Sequence, residues 1–63
     1  MPIIEVKMMS GRTGEQKDKL IHELTDACNR AIGAPTESIR VLIHEIPKEH
    51  FGISGVSAKK LGR

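Results

Sequence analysis

Apolar and charged residues alternate at the start of the chain, which is the pattern of a half-covered β-strand. The alternating positions are Ile4, Val6 and Met8 on one side, and Glu5 and Lys7 on the other. This period of two predicts a strand over residues 3–9. Residues 10–12, Ser-Gly-Arg, predict a turn after it, because glycine interrupts regular structure.

The spacing of apolar residues then changes to that of an α-helix. Thr13 and Gln16 form a Thr-x-x-Gln capping box, which is a signal for the first turn of a helix. Gly33 and Pro35 mark its end, since glycine favours the position after a helix and proline cannot continue one. The predicted apolar stripe of this helix consists of Leu20, Ile21, Leu24, Ala27, Cys28, Ala31 and Ile32.

A second strand is predicted over residues 39–46, where residues 41–43 are all apolar and indicate cover on both faces. Two strands joined by a helix are most simply parallel with a right-handed crossover, so the chain forms a βαβ unit. After Pro47, Gly52 and Gly55 predict tight turns in a C-terminal hairpin or loop. Residues 57–63 predict a polar, poorly ordered tail.

Length and cysteine content limit how this unit can be stabilised. The 63 residues allow a single domain over residues 1–63, of the α+β class, which is marginally stable alone. Cys28 is the only cysteine, so no internal disulfide forms, and His22, His44 and His50 lack the spacing of a metal site. Oligomerisation is the remaining route to stability. We therefore expect two copies to pair into a four-stranded sheet with two helices, and further copies to cover the other sheet face.

The charge balance argues against a nucleic-acid partner. Ten lysines and arginines against eight acidic residues give a formal net charge of +2, and Phe51 alone cannot build a stacking platform for bases. Lys59, Lys60 and Arg63 form a short basic tail, interpreted as a solvated end. No apolar stretch is long enough to cross a membrane, and the first residues lack the pattern of a secretory signal. With a single, unpaired cysteine, we expect a cytoplasmic protein.

Pro2 is the first candidate for chemistry. Its small size favours removal of Met1 by aminopeptidase, which would leave Pro2 at the terminus with a secondary amine. An α-amino group has a pKa near ~8 in water, and an apolar pocket or nearby cations lower this pKa towards neutrality. Such an amine can accept and return a proton at cellular pH. The alternative is that Pro2 only begins a strand without strain.

The residues, taken in order, resemble the 4-oxalocrotonate tautomerase family over nearly the whole chain. The matching segments are Met-Pro-Ile at 1–3, Gly-Arg-Thr at 11–13, Glu-Gln-Lys at 15–17, Ala-Pro at 34–35, Ser-Ile-Arg-Val at 38–41 and His-Phe-Gly-Ile at 50–53. No single segment is specific, whereas their order and spacing together are. The resemblance implies a βαβ subunit in a hexamer built as a trimer of dimers, with no metal and no cofactor.

The same resemblance implies roles for four residues. Pro2 is the base that moves a proton between the oxygen and carbon ends of a conjugated enol. In the family, the type substrate is 2-hydroxymuconate and the product is 2-oxo-3-hexenedioate. Arg12 and Arg40 bind the two substrate carboxylates, to which a guanidinium donates paired hydrogen bonds, and Arg40 also stabilises charge on the 2-oxygen. Phe51 forms an apolar wall that keeps the site dry and the Pro2 pKa low.

Other interpretations of these residues exist. Arg12 could be a surface residue of a turn, Arg40 a charge that blocks edge pairing, and Phe51 an anchor between subunits. Relatives that hydrate unsaturated halo-acids use an extra carboxylate near the C-terminal loop, for which Glu49 is the one candidate. A biosynthetic isomerase acting on another unsaturated acid and a non-catalytic subunit of an oligomer are the further alternatives.

Overall fold

The computed structural model describes all 63 residues and has the predicted βαβ order followed by a small hairpin. The elements are β1 (Ile3–Met9), α1 (Gly14–Ile32), β2 (Arg40–Ile46), β3 (Gly52–Ile53) and β4 (Val56–Ser57), with 3₁₀ turns at Thr36–Ser38 and Lys48–His50. β1 has the predicted bounds. β2 begins one residue later than predicted, because the Ile39 N–H closes the preceding 3₁₀ turn on the Thr36 carbonyl.

β1 and β2 form a parallel two-stranded sheet in which the strand ends coincide. Ile3 lies opposite Arg40, and Met9 lies opposite Ile46. At about 3.3 Å per residue, the two ends of this sheet are roughly 20 Å apart. The amino ends of both strands therefore lie at one end of the sheet, and their carboxyl ends lie at the other.

Helix α1 covers one face of the sheet and is closed at both ends by the predicted signals. The Thr13 hydroxyl accepts a hydrogen bond from the Gln16 N–H at 3.1 Å, and the Gln16 side chain accepts one from the Thr13 N–H at 3.0 Å. Gly33 follows the helix in the left-handed conformation, with φ 72°. Lys17 of α1 pairs with Glu45 of β2 over 2.9 Å, which ties the helix to the carboxyl end of the sheet.

The apolar stripe of α1 is only partly covered in one chain. Leu20, Leu24 and Cys28 are half-buried, whereas Ile32 is 68% exposed and Ile21 is 39% exposed. The predicted stripe was therefore too broad for the single chain, because a two-stranded sheet is narrower than the apolar face laid against it. No helix is both long and apolar enough to span a membrane.

The C-terminal residues fold back as a hairpin. β3 and β4 pair antiparallel around Ser54 and Gly55, whose positive φ angles of 51° and 83° are those of a two-residue hairpin turn. Gly52, predicted to mark a turn, lies instead in β3. Within the stretch 57–63, expected from the sequence to be a polar tail, Ala58 is fully buried and backbone hydrogen bonds join the residues after it.

A single chain leaves most of its surface uncovered. Only Ile39 and Ala58 are buried. The Cα radius of gyration is 14.7 Å, compared with roughly 11 Å for a globular chain of this length. The sheet face opposite α1 exposes Ile3 at 57% and Leu42 at 45%. These apolar side chains need cover from other molecules, which agrees with the oligomer expected from the sequence.

Candidate active site

Pro2 and Arg40 lie together at the amino end of the sheet. The Arg40 N–H donates a hydrogen bond to the Pro2 carbonyl at 3.0 Å. The Arg40 guanidinium donates through Nη1 to the Glu37 carbonyl at 2.6 Å and to the Ile39 carbonyl at 3.4 Å. No carboxylate pairs with this guanidinium, so its charge and its remaining donors are available to an anion.

The Pro2 nitrogen is an amide as long as the chain carries Met1. An amide nitrogen neither accepts a proton nor acts as a nucleophile near neutral pH. Met1 is 78% exposed, which leaves the bond between the two residues open to a processing enzyme. Removal of Met1 is therefore the step that would turn Pro2 into a base.

Arg12 and Phe51 lie at the opposite, carboxyl end of the sheet. Arg12 follows β1 and stands between two cavities, both of which it lines together with Met8. Phe51 follows the 3₁₀ turn after β2, is half-buried, and accepts a hydrogen bond at its carbonyl from the Ala58 N–H at 2.7 Å. Pro2 and Arg40 therefore lie at one end of the sheet, and Arg12 and Phe51 follow the strands at the other end. The length of the sheet, roughly 20 Å, is too great for one small molecule to contact both pairs of residues within a single chain.

The cavity on one side of Arg12 contains two further cations. It has a volume of about 360 Å³, and Lys48 and Arg63 line it together with Arg12. Nothing in the sequence directly indicated that Lys48 belongs to this cavity. However, Arg12 and Lys48 each follow the carboxyl end of one of two adjacent parallel strands, and such residues lie side by side, so their proximity could have been predicted. Arg63 was expected in a solvated tail, and its position depends on the folded C-terminal segment.

Glu49 lies apart from the four predicted site residues. It lines a separate cavity of about 700 Å³ with Lys59 and Lys60, and none of the four borders that cavity. Glu49 therefore shares its cavity with residues of the hairpin and of the segment after it. The structure contains no cluster of three or more His, Cys, Asp or Glu side chains that could hold a metal ion.

Comparison with known proteins assigns the chain to a family. The sequence profile of a family described as "Tautomerase enzyme" matches residues 2–61. The chain belongs to the tautomerase family. A curated relative, the 2-hydroxymuconate tautomerase of Comamonas testosteroni, is 51% identical over 63 residues, and the match covers all of both chains. The prediction that this tautomerase-family chain is an enzyme of the isomerase type is therefore confirmed.

Solved structures of related tautomerases share the fold. A structure of the 4-oxalocrotonate tautomerase isozymes from Methylibium petroleiphilum matches with a TM-score of 0.92 and 52% identity, covering 98% of this chain and 100% of the other. A heterohexamer 4-oxalocrotonate tautomerase from Chloroflexus aurantiacus J-10-fl matches with a TM-score of 0.89 and 33% identity, covering 97% and 98%. The resemblance stated from the sequence and the predicted α+β fold of this tautomerase are both confirmed.

Proposed function

We propose that this tautomerase converts 2-hydroxymuconate, or a closely related dienol dicarboxylate, into its conjugated 2-oxo-3-hexenedioate form. The observation that carries the proposal is the full-length similarity, at 51% identity, to a relative named for this substrate. The presence of Pro2, Arg12, Arg40 and Phe51 at the positions implied by the resemblance supports it. The reaction would then serve the bacterial breakdown of aromatic compounds.

Pro2, freed of Met1, is the proposed base. Its amine accepts the proton of the 2-hydroxyl group, the oxygen lone pair forms the C2 carbonyl, and the double bonds shift along the carbon chain. The protonated amine then delivers a proton to C5 and becomes a free base again. One O–H bond is replaced by one C–H bond, and the same group serves as base and acid, so the step needs no co-reactant.

Arg40 and Arg12 are proposed to bind the two substrate carboxylates. Arg40, at the Pro2 end of the sheet, takes the carboxylate beside the 2-hydroxyl, where it also stabilises the negative charge that develops on oxygen. Arg12 takes the remote carboxylate. Both charges, together with the apolar ring of Phe51, disfavour protonated Pro2 and keep its pKa close to neutrality.

The distance of roughly 20 Å between the two pairs of residues supports a site shared between subunits. When β1 strands of two copies pair side by side in opposite directions, the Pro2 end of one copy meets the Arg12 and Phe51 end of the other. The same pairing makes a four-stranded sheet with two helices. Three such dimers that close over the exposed Ile3 and Leu42 give the homohexamer we propose. Light scattering is expected to give the mass of six chains, and a monomer would contradict a shared site.

The position of Glu49 favours tautomerisation over hydration of an unsaturated acid. Activation of water for addition needs a further general base next to the substrate, and Glu49 is the one carboxylate considered for that role. Glu49 instead shares its cavity with Lys59 and Lys60, and the residues proposed to contact substrate do not line it. We therefore expect no halide release from 3-chloroacrylate above background.

An assay of 2-hydroxymuconate ketonisation, monitored by ultraviolet absorbance, tests the proposed function. The sample is protein in which intact mass confirms the loss of Met1, and it is compared with the Pro2→Ala variant. We expect turnover that falls on the order of 10²-fold in the variant, since a positioned base contributes at least that factor. Negligible turnover by a processed hexamer would refute the substrate, and equal turnover by Pro2→Ala would refute the base.

A further inference from the structure

Three positively charged side chains line one cavity at the carboxyl end of the sheet. Arg12, Lys48 and Arg63 border a space of about 360 Å³, a size that suits a small ligand. The other lining residues are uncharged, so no acidic side chain borders this space. We refer to it as the cationic cavity. Its charge complements an anion.

None of the three cations is neutralised within the chain. The ion pairs of the structure involve other residues, and nearby Lys17 illustrates the contrast, because Glu45 lies 2.9 Å from its Nζ. Like charges that share one cavity repel each other, and their attraction to a bound anion offsets this repulsion. The cationic cavity therefore has unused capacity for negative charge.

The parallel pairing of the strands brings Arg12 and Lys48 to the same place. The Ser10 N–H continues the ladder beyond β1 by donating to the Ile46 carbonyl at 3.0 Å. The turn that carries Arg12 thus lies against the segment that leaves β2 and carries Lys48. The ladder therefore sets where the two segments that carry Arg12 and Lys48 leave the sheet.

The folded C-terminal segment adds the third charge and joins it to Phe51. The Ala58 N–H donates to the Phe51 carbonyl at 2.7 Å, and the Ala58 carbonyl accepts from the Arg63 N–H at 3.0 Å. The Lys48 carbonyl accepts from the N–H groups of Phe51 and Lys59, at 3.4 and 3.3 Å. The cations are therefore attached to the same backbone network that positions the proposed apolar wall.

We propose that Lys48 and Arg63, together with Arg12, form the subsite for the remote carboxylate and make the enzyme select dicarboxylates over monocarboxylates. This inference rests on the proposed function, in which Arg12 binds the carboxylate far from the site of proton transfer. Lys48 and Arg63 border the same cavity as Arg12, so their charges act on the same end of the substrate. Neither residue takes part in the proton transfer.

Kinetics on two substrates form the first test. The variants are Lys48→Gln and Arg63→Gln, and the substrates are 2-hydroxymuconate and the monocarboxylate dienol that lacks its remote carboxylate. We expect each variant to lower kcat/KM for the dicarboxylate about 5- to 10-fold, mainly through KM, which is modest for a charged hydrogen bond because the cavity is open to solvent. The monocarboxylate should change by less than about twofold, since its charge lies outside the subsite.

Two further variants separate the charge from other effects. Lys48→Arg keeps the cation and should retain the preference for the dicarboxylate. Lys60→Gln removes a cation that lines the Glu49 cavity and not the cationic cavity, and it should leave both substrates unaffected. Equal losses on both substrates, an equal loss in Lys60→Gln, or no loss in Lys48→Gln and Arg63→Gln would overturn the inference.

Binding of unreactive acids distinguishes failure of this inference from failure of the proposed function. Adipate and hexanoate have the same carbon chain and differ by one carboxylate, and their affinities can be measured by calorimetry on the hexamer. We expect wild type to bind adipate more tightly, and the difference to shrink about 5- to 10-fold in Lys48→Gln. If the enzyme is inactive on 2-hydroxymuconate but wild type still prefers adipate and Lys48→Gln reduces that preference, only the proposed function is refuted. If the enzyme is active but shows no preference for adipate that depends on Lys48, only the inference is refuted.

Discussion

The Arg40 N–H donates a 3.0 Å hydrogen bond to the Pro2 carbonyl, so the residue proposed to bind substrate also holds the backbone next to the proposed base. A change of the Arg40 side chain leaves this backbone bond intact. Arg40→Gln therefore removes the guanidinium, with its hydrogen bonds to the Glu37 and Ile39 carbonyls, and keeps the backbone bond. We expect kcat for 2-hydroxymuconate to fall about 30- to 150-fold, because a charged donor to a developing oxyanion is worth roughly 2–3 kcal/mol.

Steady-state kinetics on Arg40→Gln, beside Arg30→Gln, provide this measurement. Arg30 is an exposed residue of α1 whose Nη1 lies 3.9 Å from Asp26, so it serves as a matched loss of an arginine charge at a residue with no proposed role in the site. A change confined to KM in Arg40→Gln would mean that the guanidinium binds the ground state and transition state equally. That outcome would remove the proposed stabilisation of charge on the 2-oxygen.

Mixed oligomers test whether Pro2 and Arg12 of different chains form one site. Pro2→Ala and Arg12→Gln chains are each expected to be weak alone. Unfolded together in equal amounts and refolded, they should recover about a quarter of wild-type activity, since random assembly in a symmetric oligomer gives that share of sites with both native residues. Each variant refolded alone is the control. Absence of recovery would place both residues of a site on one chain.

The pH dependence of kcat/KM reports the Pro2 amine. The free base is the active form, so activity is present above the pKa of this amine and is lost as pH falls through it. We expect the midpoint of this acidic limb at a pH below ~8, which is the pKa of a free α-amino group, because apolar and cationic neighbours disfavour the protonated form. Phe51→Ala and Arg12→Gln should move the limb to higher pH. Phe51→Leu, which keeps an apolar side chain, should move the limb less. If the limb stays at the same pH in all three variants, Phe51 and Arg12 do not influence the Pro2 pKa.

Thr13→Ala tests the capping box of α1. The Thr13 hydroxyl accepts from the Gln16 N–H at 3.1 Å, and its loss should lower the free energy of unfolding by about 1 kcal/mol. Urea denaturation at one fixed chain concentration is the measurement, because the stability of an oligomer depends on concentration. Thr36→Ala is the control, since Thr36 is exposed and its side chain makes no hydrogen bond. Equal effects of the two changes would argue against the cap.

The elements predicted best from the sequence are those whose signals are local. The alternation of apolar and charged residues gave β1 its observed bounds, Ile3–Met9, because period two leaves little choice of face or length. The capping box at Thr13 and the glycine at position 33 act within one helical turn, so the ends of α1 could also be read from neighbouring residues.

The parts that sequence alone did not yield depend on contacts between distant residues. Ala58 is a small residue in a polar stretch, and only its contact with the chain near Phe51 explains its complete burial. The cationic cavity likewise needs Lys48 and Arg63 to be brought to Arg12 by the folded chain. Leu42 is 45% exposed in one chain, although the apolar run that contains it predicted a strand covered on both faces. In the assembly we propose, another subunit covers the sheet face on which Leu42 lies.

The matched lengths of β1 and β2 restrict how this protein can change during evolution or in the laboratory. With Ile3 opposite Arg40 and Met9 opposite Ile46, insertion or deletion of one residue in either strand would turn the following side chains to the other sheet face. It would also move Arg12 or Lys48 out of step with the rest of the cavity. New substrate preferences in this scaffold are therefore to be sought through side-chain replacement and not through changes in strand length.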